Sequence, residues 1–250
     1  DVFWGMITGM LPDGFKIKVF ADGADLDVIR DMSQRPGIKG FTTNPTLMRG
    51  AGVDDYSSFA RDVLAIVKDR PVSFEVFADD LPTMETQARE IASWGPNVNI
   101  KIPITNTKGE STADLIGRLS HGGIAVNITA MFTLPQVQAI VDVIDPSTPA
   151  ILSVFAGRIA DAGRDPIPLM QEALKMMEPR PLAELLWASP REVLNVVQAN
   201  EIGCHIITIT DGIINKLSGL GKDLDQFSLE TVEMFYNDAQ KAGYEISPSA

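Results

Sequence analysis

The chain has 250 residues, 45% of them hydrophobic and 22% charged, which fits one large globular domain and excludes a disordered or fibrous chain. Its net charge of −12 repels nucleic acid and anionic membrane, so neither is expected as a partner, and any anionic ligand needs a local basic cluster. Cys204 is the single cysteine and the two histidines, His121 and His205, lie far apart, so neither a disulfide framework nor a zinc site is expected; the reducing cytoplasm is the expected setting.

Along the chain, the apolar run from Val2 to Leu11 is broken by Gly5, Thr8 and Gly9 and is far too short to span a bilayer. Residues 1–15 read as an extension, packed on the body or reaching a second subunit. From there, short β-rich runs alternate with helical stretches. Strands are expected at Lys16–Asp22, Ile38–Asn44, Val72–Phe77, Val98–Ile104, Ile124–Thr129, Ala150–Phe155, Ala183–Ser189 and His205–Thr210. Helices are expected near 24–34, 55–69, 82–94, 110–119, 133–143, 166–178, 190–199 and 211–218. Such alternation, with short Gly/Pro/Asp turns, marks a parallel α/β fold. Eight repeats in this length favour a single (β/α)₈ barrel over residues 16–250 above a doubly wound sheet. No Gly-rich dinucleotide fingerprint or Walker loop follows a strand, and no cofactor is expected. A final helix at about 229–242 carries Val232, Phe235 and Ala239 on one stripe; it exceeds what a barrel needs and is expected to clasp the body or a neighbouring subunit.

Alternate residues of a strand face opposite ways, which sorts the polar residues. With the aliphatic residues set against the helices, Asp22, Glu75, Asn99 and Lys101, Asn127 and Thr129, and Ser153 and Phe155 point to the barrel axis. The same count from Leu186 and Ala188 puts Ser189 inside, with Trp187 one layer below it. These positions fall at the strand ends where barrel enzymes keep their sites. Thr129, Ser153 and Asn127 could each serve only to bond backbone or cap a loop. Lys101 is harder to explain structurally. A lysine set between isoleucines loses most of its water, at a cost of several kcal/mol unless it is paired or neutral. Loss of water favours the neutral amine, the form that attacks a carbonyl. A buried ion pair with Glu75 is the plainer alternative.

At these residues the chain resembles the transaldolases, especially the short subfamily that includes the fructose-6-phosphate aldolases, from about Lys18 through the last helix. Phe20-Ala-Asp-Gly-Ala-Asp25 is similar to the family's first-strand motif, and Thr42-Thr-Asn-Pro-Thr46 to its T-T-N-P-[ST] signature. Lys101-Ile-Pro-Ile-Thr105 resembles the Schiff-base lysine segment, and Val126-Asn-Ile-Thr129 the strand with a donor-binding Asn and a water-holding Thr. Ser153-Val-Phe-Ala-Gly-Arg-Ile159 and Ala188-Ser-Pro-Arg191 resemble the acceptor segments.

The resemblance implies a metal-independent transfer of a dihydroxyacetone unit between phosphorylated sugars. Lys101 is then the nucleophile, Asp22 the acid/base, and Glu75 and Thr129 the holders of the catalytic water. Asn44, Asn127 and Phe155 meet the donor or line its pocket, while Ser153, Arg158, Ser189 and Arg191 belong to the acceptor segments, whose arginines and serine bind phosphate. Short relatives form rings of five or pairs of rings, so a homo-oligomer is expected. Gly23, Val154, Pro190 and Trp187 depart from the usual pattern, and Trp187 is expected to fill space under the pocket. The alternatives are an aldolase that releases free dihydroxyacetone, a transaldolase for a sulfonated or other variant sugar, and, from another class, a catalytically silent scaffold barrel. The last has no reason to keep a costly buried lysine.

Overall fold

A computed structural model describes residues 11–246, so most of the expected N-terminal extension lies outside the described residues. The strands are β1 (Lys18–Asp22), β2 (Ile38–Thr42), β3 (Val72–Glu75), β4 (Val98–Pro103), β5 (Val126–Met131), β6 (Ala150–Val154), β7 (Ala183–Trp187) and β8 (Ile206–Ile209). They close in sequence order into one barrel, with β8 pairing parallel to β1. Around it run α1 (Leu26–Ser33), α2 (Pro45–Gly50), α3 (Tyr56–Ile66), α4 (Leu81–Ala92), α5 (Ala113–His121), α6 (Leu134–Val143), α7 (Ala156–Asp161), α8 (Ile167–Met176), α9 (Leu194–Glu201), α10 (Asp211–Ile214) and α11 (Leu224–Ala242). The expected (β/α)₈ barrel is therefore the fold.

Helix starts follow from short polar side chains. Asp25, Asp55, Asp80 and Asp223 each accept hydrogen bonds from the first free backbone N–H groups of α1, α3, α4 and α11. Thr133 and Gln136 cap each other reciprocally at α6. Between sheet and helices lies a continuous apolar layer containing Val19, Phe74, Ile100, Ile102, Ile128 and Leu152. A second, smaller cluster fills the barrel itself: Phe20, Ile151, Leu186, Ala188 and Ile206, with Phe155 against it. Gly40 on β2 makes room for this plug, since a Cβ there would lie 2.5–2.7 Å from the Phe20 ring. The polar strand ends thus stand on a dry apolar floor.

Several element bounds differ from expectation. Six strands, β2, β3, β4, β6, β7 and β8, stop one or two residues early, and β5 runs on to Met131 past a bulge at Ala130, whose φ is 60°. The six-residue α2 and α7 fall in stretches where no element is expected, because fewer than two turns carry too little periodicity. The helix expected over 211–218 is the short α10 followed by a 3₁₀ turn at Leu217–Gly219.

The seventh strand corrects the parity count. Leu186 and Ala188 face the barrel interior, while Trp187 is fully buried in the outer layer under the helices. The count assumed that the strand continues to Ser189, but Ser189 has a φ of 55°, and this left-handed residue breaks the alternation. Trp187 therefore does not lie under the pocket, and its indole N–H finds no acceptor among the described residues.

The final helix begins at Leu224, five residues earlier than expected, and none of its residues is buried. Among the described residues it does not clasp its own barrel.

Candidate active site

The C-terminal mouth of the barrel holds a cavity of about 450 Å³ lined by Asp22, Asn44, Glu75, Lys101, Thr129, Ser153, Phe155, Arg158 and Ser189, among others. Parallel pairing brings the central groups side by side: Glu75 is in register with Lys101, and Lys101 with Asn127. Lys101 is 7% exposed. Its Nζ donates to the carbonyl of Thr43 at 2.9 Å and lies 3.3 Å from Glu75 Oε2. The plainer reading of Lys101, an ion pair with Glu75, is thus present. It does not compete with a chemical role, because a buried charge needs such a partner until a carbonyl arrives.

Two carboxylates face this lysine. Burial pushes the Asp22 carboxyl above its usual range, against the charge of Lys101 and a hydrogen bond from Thr42. Glu75 is raised in the same way by burial, with Lys101 opposing and the charge of Asp22 adding to the rise. Thr42 Oγ1 donates to Asp22 Oδ1 at 2.8 Å and lies 2.5 Å from Thr208 Oγ1. A hydroxyl has one hydrogen, so with Asp22 ionised Thr208 must donate to Thr42. The result is a chain of two threonines that ends on the acid/base candidate.

The remaining predicted residues divide. Asn44 lines the cavity and its Oδ1 caps α2 by accepting from the N–H of Leu47 at 2.9 Å. Asn127 is fully buried below the cavity, with Nδ2 donating to Ser73 at 3.0 Å and Oδ1 accepting from Ser153 at 2.6 Å. Phe155 lines the wall, with the Phe132 ring 5.7 Å away and the Arg158 guanidinium 5.7 Å over its face. Ser189 reaches the cavity through its left-handed backbone and not through strand alternation. Arg191 does not line it; its guanidinium forks onto Asp161.

Thr42 and Thr208, the carbonyl of Thr43 and the ring of Phe132 were not singled out in the sequence. The alternation test finds the two threonines when it is applied to β2 and β8, where each sits on the inner parity beside outward apolar neighbours. Phe132 sits on a loop, where no periodicity marks it.

Fold and site together define the class: a (β/α)₈ barrel with a buried lysine between carboxylates at its C-terminal mouth. Residues 19–246 match the family model described as transaldolase/fructose-6-phosphate aldolase. A protein of Dehalococcoides mccartyi named "Probable transaldolase" is 33% identical over 77% of this chain and 86% of its own length. One of Listeria monocytogenes named "Probable transaldolase 2" is 32% identical over 85% of this chain and 98% of its own. The chain belongs to the transaldolase/fructose-6-phosphate aldolase family. Solved structures with a similar fold include KGPDC from Streptococcus mutans, with a TM-score of 0.53, 12% identity, and coverage of 80% of this chain and 90% of that one. A mandelate oxidase has a TM-score of 0.56, 14% identity, and coverage of 90% of this chain and 73% of its own. Both are alike in fold alone. Among the described residues no helix is long and apolar enough to cross a membrane.

Proposed function

We propose that this protein transfers a three-carbon dihydroxyacetone unit from a ketose phosphate to an aldose phosphate through a Schiff base on Lys101. The observation that carries the reading is the placement of Lys101 Nζ, nearly buried, 3.3 Å from Glu75 and in one cavity with Asp22 and Thr129. The amine adds to the ketose carbonyl, and loss of water leaves an iminium. Glu75 and Thr129 hold that water and move its protons. Asp22 then takes the proton of the C4 hydroxyl; the C3–C4 bond breaks, and its electron pair flows to the iminium nitrogen as the first aldehyde leaves. The enamine left on Lys101 attacks the carbonyl carbon of a second aldehyde, Asp22 returns the proton to the new hydroxyl, and water frees Lys101. The iminium serves as the electron sink, so the scheme needs no metal. Arg158, inside the cavity, is the anchor for the terminal phosphate.

The rival within the family is an aldolase that releases free dihydroxyacetone. Phe155 favours transfer, because it stands on the cavity wall without a hydroxyl to protonate the enamine. Glu75 adds to this by offering a charged contact to the water. With fructose 6-phosphate and erythrose 4-phosphate, sedoheptulose 7-phosphate should form far faster than dihydroxyacetone appears when the acceptor is omitted. Equal rates would give the assignment to the aldolase. The same assay with a sulfonated aldehyde tests the variant-sugar reading.

A further inference from the structure

Close in the chain to two cavity-lining residues, Arg158 and Ser189, lies an ion pair that the proposed reaction does not use. Arg191 follows Ser189 by two residues, yet its Nε donates to Asp161 Oδ1 at 3.0 Å and Oδ2 at 3.1 Å, and its Nη2 also donates to Oδ2. The backbone beneath it is fixed. Asn195, only 9% exposed, accepts from the N–H of Arg191 at 2.8 Å and of Glu192 at 3.2 Å. The segment is also pressed against α7, since a Cβ on Gly157 would lie 1.5 Å from the carbonyl oxygen of Ser189. The guanidinium is therefore the part free to choose a partner. Asp161 sits three residues after Arg158 on α7, so the two side chains share one helix face. Its carboxyl is held below the usual range, first by the hydrogen bonds from Arg191 and also by the charges of Arg191 and Arg158. One carboxylate thus serves two cations, of which only Arg158 lines the cavity.

We propose that Asp161 is a specificity-determining residue, an internal carboxylate that occupies the Arg191 fork and so weakens the site for phosphate-bearing aldehydes relative to uncharged ones. A phosphate brought to Arg158 meets the negative charge of Asp161 nearby and finds the second fork taken. The pair is about half exposed, 48% and 51% for the two side chains, so solvent and a dissolved anion reach it. A guanidinium released from it presents the bidentate donors that phosphate accepts well.

The consequence for aldehydes rests on the transfer reading, but the anion site can be tested without it. Titration calorimetry with inorganic phosphate on the whole protein should show Asp161→Asn binding about tenfold more tightly than the parent. Adding Arg191→Ala to that variant should erase the gain, and Asp161→Glu, which keeps the charge, should stay near the parent. In turnover, Asp161→Asn should lower the KM for glyceraldehyde 3-phosphate by a similar factor and leave that for glyceraldehyde within about twofold. Unchanged or weaker phosphate binding in Asp161→Asn would overturn the proposal, because Asp161 would then be a strut that holds Arg191 ready for the ligand. If no three-carbon unit is transferred, yet phosphate binding tightens through Arg191, the functional reading fails and the role of Asp161 stands.

Discussion

The residues around Lys101 have separable effects. Asp22 must be ionised to take the C4 proton, and burial raises its carboxyl while Thr42 opposes the rise with a hydrogen bond to the charged form. The acid limb of kcat/KM should therefore lie above the ordinary carboxylate range. Thr42→Val keeps the shape and removes that bond, which favours the protonated acid. The acid limb should then move to higher pH. A pH profile with the limb unmoved or lower would remove Asp22, or the threonine chain, from the proton transfer. Arg158→Ala tests the phosphate anchor: it should raise the KM for erythrose 4-phosphate about tenfold or more and that for glyceraldehyde much less. Most of these residues were legible in the sequence because strand alternation exposes a polar residue on an apolar background. Asn127 shows the limit of that signal. It points inward as expected, but both ends of its amide are taken by Ser73 and Ser153, and pairing between strands cannot be read from one strand.

Among the elements, the eight strands were legible because each is a short aliphatic run bounded by turn residues. What escaped notice was set by contacts that are remote in sequence or by too few residues. Trp187 faces the helices by plain alternation with Leu186 and Ala188, whereas Ser189 reaches the cavity because it is left-handed, a shape it holds where its carbonyl meets Gly157 of α7. The junction has no room for a methyl group. Gly157→Ala should lower stability by about 1–3 kcal/mol, measured by denaturant unfolding, and should also impair phosphate-dependent turnover because Arg158 is its neighbour. An alanine variant as stable as the parent would mean that the junction yields more than the 1.5 Å between an added Cβ and the Ser189 carbonyl implies.

At the scale of the whole molecule, the barrel leaves one part without a packing partner among the described residues. α11 buries none of its 19 residues, and Leu224, Val232, Phe235 and Tyr236 are each at least 60% exposed. Single apolar residues on a surface are common, but a run of this kind along one helix marks a contact. We propose a second copy of this chain as the occupant, because a helix that lies free of its own barrel can be received by the same surface on each neighbour and so close a ring. Light scattering at micromolar concentration should report an assembly well above the dimer, such as five or ten subunits, and Val232→Asp with Phe235→Asp should dissociate it. A stable monomer would contradict this. The central claim concerns the bond that forms in the middle of the barrel. The most direct measurement is mass mapping of the protein after incubation with fructose 6-phosphate and borohydride, with and without chelator. The account predicts one reduced three-carbon adduct, on Lys101, unaffected by chelator and absent with Lys101→Ala; an adduct on another lysine, or turnover lost to chelator and restored by a divalent metal, would contradict it.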